Sequence, residues 1–152
     1  LNPSVFDLSA RVTETIARFG IMEEAKGYKF VSEITPELIV RGDAEKIDRV
    51  IYNLIGNALN YTGKDKLVTV RCYLRDNVAR VEVEDTGKGM TEEELKTVWD
   101  KYYRLAQDKR RIVGSGLGLS IVKSILELHK TTFGVESEKY VGSTFWFELP
   151  IV

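Results

Sequence analysis

Apolar positions along this chain follow two periods, and the changes between them mark the elements. Leu8, Val12, Ile16 and Phe19 recur at helical spacing behind Asp7, a natural N-cap, and Gly27 is a natural stop. One helix is therefore expected between them. Residues 28–34 and 38–41 read as two short strands around the turn at Thr35-Pro36. Asp43 caps a second helix with an apolar stripe of Ile47, Val50, Ile51, Leu54, Ile55, Ala58 and Leu59, which ends near Thr62-Gly63. The pattern then alternates over 67–75 and 78–85, with Asp76-Asn77 as a two-residue turn between them. Thr91 and Glu94 form a capping box for a short helix. Residues 105–113 are basic and have no clear period. A last helix carries Ile121, Val122, Ile125 and Leu126, and two final strands near 132–138 and 143–149 turn at Gly142. Strands paired in hairpins with helices between the groups predict a mixed sheet covered by helices on one face.

Composition narrows the class. The 152 residues suit one domain, 1–152, with no repeat or linker. Hydrophobic residues make up 43% and charged residues 30%, which excludes a disordered or collagen-like chain. No apolar run is long enough to span a membrane, and no signal-peptide pattern opens the chain. A net charge of −1 makes a weak electrostatic case for nucleic acid or an anionic membrane surface as partner. One cysteine, Cys72, excludes an internal disulfide and fits a reducing compartment, and with one histidine, His129, it makes a poor metal set. The chain starts at Leu1 rather than Met and reads as a piece of something longer.

Three features suggest chemistry. Asn53, Asn57, Asn60 and Tyr61 share one stripe of the second helix, beside its apolar stripe. A solvated face more often uses Glu, Lys and Arg; amide oxygens suit a hard cation and amide nitrogens can donate to phosphate oxygens. Asp85 stands in register with Ala79, Val81 and Val83 at the end of a strand, where a carboxylate needs donors. A purine amino group is one, a cap on the nearby backbone another. Gly87 and Gly89 follow, and let backbone approach a flat ligand. Gly114-Ser115-Gly116-Leu117-Gly118 opens a helix, whose N-terminus favours anions. A dinucleotide fingerprint is a poor fit, because Lys109-Arg110-Arg111 rather than an apolar strand precedes the glycines.

In this order the features resemble the ATP-binding catalytic domain of sensor histidine kinases, in the superfamily shared with gyrase, Hsp90 and MutL. Asn53 to Thr62 resembles the N box, Asp85 to Met90 the first glycine box, Trp99 to Arg104 the F box, Gly114 to Leu119 the second glycine box, and Gly142-Ser143-Thr144-Phe145 the last. The resemblance implies a two-layer α/β sandwich of the Bergerat type, with a mostly antiparallel sheet and helices on one face. It implies ATP and Mg²⁺ as cofactors, Asn57 as metal ligand, and Asn53 near the metal and phosphates. Asn60 stands where a Lys or Arg commonly reaches the phosphates. Tyr61 would line the adenine, Asp85 accept from its amino group, Gly87, Gly89 and Met90 shape that pocket, and Thr144 back it. Lys101, Tyr103 and Arg104 would face the nucleotide. Residues 105–115 would form a lid, mobile without nucleotide. Gly114, Ser115, Gly116, Leu117, Gly118 and Leu119 would serve the phosphate end. Asn53, Asn57 and Arg104 would be the catalytic set.

The implied activity is transfer of the γ-phosphoryl group to a histidine on a separate helical dimerisation domain, absent from this chain. A response-regulator receiver domain is the further partner implied, with no nucleic acid and no direct membrane contact. The domain is expected in the cytoplasm, in a parent anchored in the cell membrane. His129, followed by Lys130-Thr131, lacks the acidic residue and Pro of an acceptor site and reads as a helix-end residue. The alternatives are a same-fold ATPase, an anti-sigma-like serine kinase, or a nucleotide-sensing module without chemistry. Against hydrolysis, Asn53 occupies the position of the hydrolases' general base, and an amide is a poor base.

Overall fold

Leu54 of the long helix after Asp43 and Phe147 of the last strand belong to one core, between a five-stranded sheet and the helices on one of its faces. The computed structural model describes residues 1–100 and 118–152. In chain order the elements are β1 (Ser4–Asp7), α1 (Leu8–Ala17), α2 (Gly20–Lys26), β2 (Lys29–Ile34), β3 (Ile39–Gly42), α3 (Ala44–Tyr61), β4 (Leu67–Arg75), β5 (Val78–Asp85), α4 (Glu92–Thr97), α5 (Gly118–Leu128), β6 (Phe133–Glu138) and β7 (Gly142–Pro150). The large sheet runs β2-β4-β5-β7-β6, parallel at β2–β4 and antiparallel elsewhere, and β1–β3 form a separate antiparallel pair. This is the expected mixed, mostly antiparallel sheet.

Local signals account for much of it. Asp43 caps α3 by accepting from the Lys46 amide at 3.2 Å, and every residue of the expected apolar stripe is buried. Each such Ile, Leu or Val contributes about 1.5–3 kcal/mol by leaving water. Thr91 and Glu94 make both bonds of the capping box. Asp76 takes the positive φ that a two-residue turn requires.

Two expectations change. The first helix is two: the chain breaks at Arg18-Phe19, α2 starts at Gly20, and Gly27 ends it in the left-handed conformation. The apolar spacing runs through the break because Phe19 is buried there, stacked on Tyr52 of α3. The strands flanking Thr35-Pro36 do not pair with each other. β2 joins the large sheet beside β4, and β3 pairs with β1, a strand too short for its alternation to show.

In-register pairing lays the inner face of the sheet out in rows. Phe133, Phe147, Val81 and Cys72 form one row, and Val135, Phe145, Val83 and Val70 the next. The row after that turns polar: Ser137, Ser143 and Asp85. The core ends there, and the candidate site begins.

Candidate functional site

Asp85 is 4% exposed, and its Oδ1 accepts from the Gly87 amide at 2.8 Å. The carboxylate thus folds the chain into a tight turn straight after β5. That turn lies against the C-terminal end of α3. Thr62 Oγ1 is 3.1 Å from Thr86 Oγ1 and accepts from the Thr86 amide at 3.3 Å. Thr86 also donates its hydroxyl to Asp65, which holds that carboxyl below its usual range despite the opposing effect of desolvation.

The glycines serve a different contact from the one expected. A Cβ on Gly87 would stand 1.9 Å from the Tyr61 carbonyl oxygen, and one on Gly89, whose φ is +67°, would stand 2.1 Å from that of Glu138. They let backbone approach backbone, so the loop is clamped between the end of α3 and the β6–β7 hairpin. The hairpin completes the clamp: the Tyr140 amide donates to the Lys88 carbonyl at 2.6 Å, and the Met90 amide donates to Ser137 Oγ at 2.8 Å.

The asparagine stripe lies on α3, the helix that the clamped loop abuts. Asn53, Asn60 and Tyr61 are half-buried. Asn57 is 9% exposed, and its Nδ2 has no hydrogen-bond partner among the described residues. A buried amide end without a partner costs roughly 1–3 kcal/mol. A flip of the terminal torsion exchanges its nitrogen and oxygen, so the same position can donate to a phosphate oxygen or offer an oxygen to a hard cation. The stripe therefore fits a metal–phosphate ligand. Gly118, the first residue of α5, lies against Asn53: a Cβ there would sit 3.6 Å from Asn53 Cβ and Cγ. The N-terminal turn of α5, the positive end of its helix dipole, thus lies beside the asparagine stripe.

Other expected residues fall differently. Leu119 buries its side chain in the core, which leaves only its backbone to the N-terminal turn. Thr144 is paired with Glu84 and Glu136, and so stands on the outer face of the sheet. Its neighbour Ser143, buried and opposite Asp85, occupies the inward position that Thr144 was expected to fill. Counting alternation back from Phe147 and Phe145 would have found it. Trp99 packs edge-on against Phe133 and Phe145, with ring centroids 5.3 and 5.5 Å away. Lys101, Tyr103, Arg104, Gly114, Ser115, Gly116, Leu117 and the expected lid over 105–115 lie outside the described residues.

His129 has a structural place. Its Nε2 accepts from the Asp43 amide at 3.0 Å and its Nδ1 donates to the Ile125 carbonyl at 2.9 Å, so the ring joins the end of α5 to the start of α3.

Comparisons with known proteins agree with this geometry. The profile of the family described as histidine kinase-, DNA gyrase B- and HSP90-like ATPase matches residues 42–152. Sensor protein IrlS of Burkholderia pseudomallei is 35% identical over 84% of this chain, and sensor histidine kinase CusS of Escherichia coli 35% identical over 96%. The chain spans 30% of the length of each. Among solved structures, a nucleotide-free catalytic domain of histidine kinase ThkA superposes with a TM-score of 0.87 at 25% identity, over 99% of this chain and 97% of that one. ThkA in complex with the response regulator TrrA matches with a TM-score of 0.78 at 25% identity, over 99% of this chain and 42% of that one.

Proposed function

Because this chain belongs to the family of histidine kinase-, DNA gyrase B- and HSP90-like ATPases, whose domains bind ATP with Mg²⁺, we propose that it is the catalytic domain of a two-component sensor kinase. It binds ATP–Mg²⁺ and presents the γ-phosphoryl group to a histidine on a separate helical domain. One observation carries this reading: the buried end of the Asn57 amide that has no partner among the described residues lies on the helix whose Asn53 meets the N-terminus of α5.

Each residue then has a task. Asn57 holds the metal and Asn53 orients the phosphate end. Amides at the start of α5 donate to the triphosphate oxygens. Asp85, fixed by the Gly87 amide, accepts from the purine amino group, with Tyr61 and Met90 walling the base and Ser143 beside the carboxylate. Asn60 offers an uncharged contact to the phosphates. Lys101, Tyr103, Arg104 and the glycine-rich 114–118 segment are assigned to the phosphate end on the family resemblance. Bound Mg²⁺ neutralises triphosphate charge. With Asn53 in place of a carboxylate base, transfer to a histidine is favoured over hydrolysis. His129 is no acceptor, since both ring nitrogens are engaged within the fold.

In this reading the domain works in the cytoplasm as part of a membrane-anchored sensor, and the phosphoryl group passes on to a response-regulator receiver domain. Among the described residues no helix is long and apolar enough to cross a membrane. The test is calorimetric titration of the domain with a non-hydrolysable ATP analogue, with and without Mg²⁺. Mg²⁺-dependent binding and discrimination against the guanine counterpart are expected, and no heat at millimolar nucleotide overturns the reading. Adding the histidine-bearing helical domain in trans is expected to give an acid-labile, base-stable phosphoryl link on that partner. Label on His129, or rapid ATP turnover by the domain alone, overturns the reaction class.

A further inference from the structure

The polar row that closes the inner face contains a residue to which the nucleotide reading gives no task. Ser137 lies on β6, an edge strand, opposite Ser143, which lies opposite Asp85. Among the described residues, three polar atoms stand within hydrogen-bond distance of Ser137 Oγ: the Met90 amide nitrogen at 2.8 Å, the Gly142 carbonyl oxygen at 3.0 Å, and Ser143 Oγ at 2.8 Å.

A hydroxyl has one proton and two lone pairs. The Met90 amide can only donate, so it always occupies a lone pair. The single Ser137 proton then goes to the Gly142 carbonyl or to Ser143. In the first arrangement Ser143 donates its own proton to Ser137. In the second Ser143 accepts from Ser137, and its proton is released to its surroundings in the row that ends at Asp85. Ser137 therefore sets both the height of Met90 and the hydrogen-bonding state of Ser143.

The surrounding contacts make this control effective. The loop from Thr86 to Met90 meets the β6–β7 hairpin through backbone at Gly89 against Glu138 and at Lys88 with Tyr140. Lys139 Nζ reaches Glu94 Oε1 of α4 at 3.6 Å. Ser137 adds the side-chain bond at the Met90 end, where the loop passes into α4, and it ties that end to the strand row holding Asp85.

We propose that Ser137 is a positioning residue for the purine end of the pocket, acting through the Met90 amide and the Ser143 hydroxyl; this rests on the ATP reading above. Without it the loop loses its side-chain tie to β6 and the purine-facing groups lose their common reference. The phosphate end, built from α3 and the start of α5, keeps its geometry.

The experiment compares the 152-residue chain with Ser137→Ala and Ser137→Thr, by titration with a non-hydrolysable ATP analogue and its guanine counterpart in Mg²⁺. Ser137→Ala is expected to weaken the adenine ligand about tenfold and the guanine ligand less than about threefold, the loss of one well-placed hydrogen bond falling on the base that uses it. Ser137→Thr keeps the hydroxyl and is expected to restore the preference. Amide hydrogen exchange at Met90 in the nucleotide-free protein is expected to quicken in Ser137→Ala and recover in Ser137→Thr. Equal weakening of both ligands, or no weakening, overturns the positioning role alone. Wild-type protein that binds neither ligand overturns the nucleotide reading and this role with it.

Discussion

Arg80 and Asn57 are both buried polar residues, and the difference between them separates scaffold from site. Arg80, 5% exposed, lies on the outer face of the sheet. Its Nε donates to Glu82 at 2.8 Å and its Nη1 to Glu148 at 3.1 Å. The Trp146 ring roofs it, with the guanidinium carbon 3.9 Å from the ring centroid. Asn57 is a neutral group that costs far less to desolvate, yet one end of its amide has no partner among the described residues. A saturated buried charge is architecture. An unsaturated buried amide, on a surface shared with a helix N-terminus, is an opening for a ligand.

The largest effect expected from breaking this contrast is on stability. Arg80→Leu leaves Glu82 and Glu148 without their common cation and should lower unfolding free energy by about 3 kcal/mol in urea denaturation. ATP-analogue affinity of the folded fraction should stay within about twofold of wild type. A matching collapse of affinity would mean that the outer face belongs to the site.

Asn57→Ala reverses that pattern. Phosphoryl transfer to the helical partner should fall about 100-fold or more, as for loss of a group that stabilises transition-state charge. Stability should change by less than about 1 kcal/mol, because the lost nitrogen bonds nothing among the described residues. A larger loss of stability in a melting curve would return Asn57 to the scaffold.

Acid should act on the saturated side. Burial pushes Glu82 and Glu148 upward, but hydrogen bonds from Arg80, Tyr73 and Thr132, with the arginine charges, outweigh it and hold both below the usual carboxylate range. Depressed folded values mean that their contribution is complete above that range. It declines as pH falls through the range, and is gone below the folded values. Thermal midpoints should therefore fall between about pH 5 and pH 3, and the fall should be shallower in Arg80→Leu. An equal slope in both proteins would place the acid sensitivity elsewhere.

The smallest effect concerns Tyr140. It holds φ +69° at the hairpin tip and is 84% exposed. Tyr140→Gly should relieve that backbone cost and stabilise by about 1 kcal/mol in urea, without moving Arg80 or Asn57. Destabilisation instead would show that the exposed ring contributes more than its strain.

These residues also show how far the sequence could be read. α3, the β4–β5 hairpin and the capping box are local, and each announces itself through a period, a turn or a cap within a few residues. The partners of β2 and β3 are set by pairing at long range, so two strands that look like a hairpin go to different sheets. Alternation puts Arg80 on the face opposite Val81 and Val83, as an ordinary outward charge; only the strand register shows that Glu148 and Trp146 close over it. The same register moves the inward role from Thr144 to Ser143. Asn53, Asn57 and Asp85 were legible because each departs from what its local pattern needs: asparagines on a helix that would be steadier without them, and an acid in an apolar row.

The clamp around Gly87 and Gly89 has a pharmacological consequence. An inhibitor that contacts the backbone of this loop would face a wall in which the simplest evasive mutations, those adding a side chain, collide with the Tyr61 and Glu138 carbonyls before they reach the drug. Resistance selected against such a compound would have to come from residues around the loop, each already engaged in holding it in place.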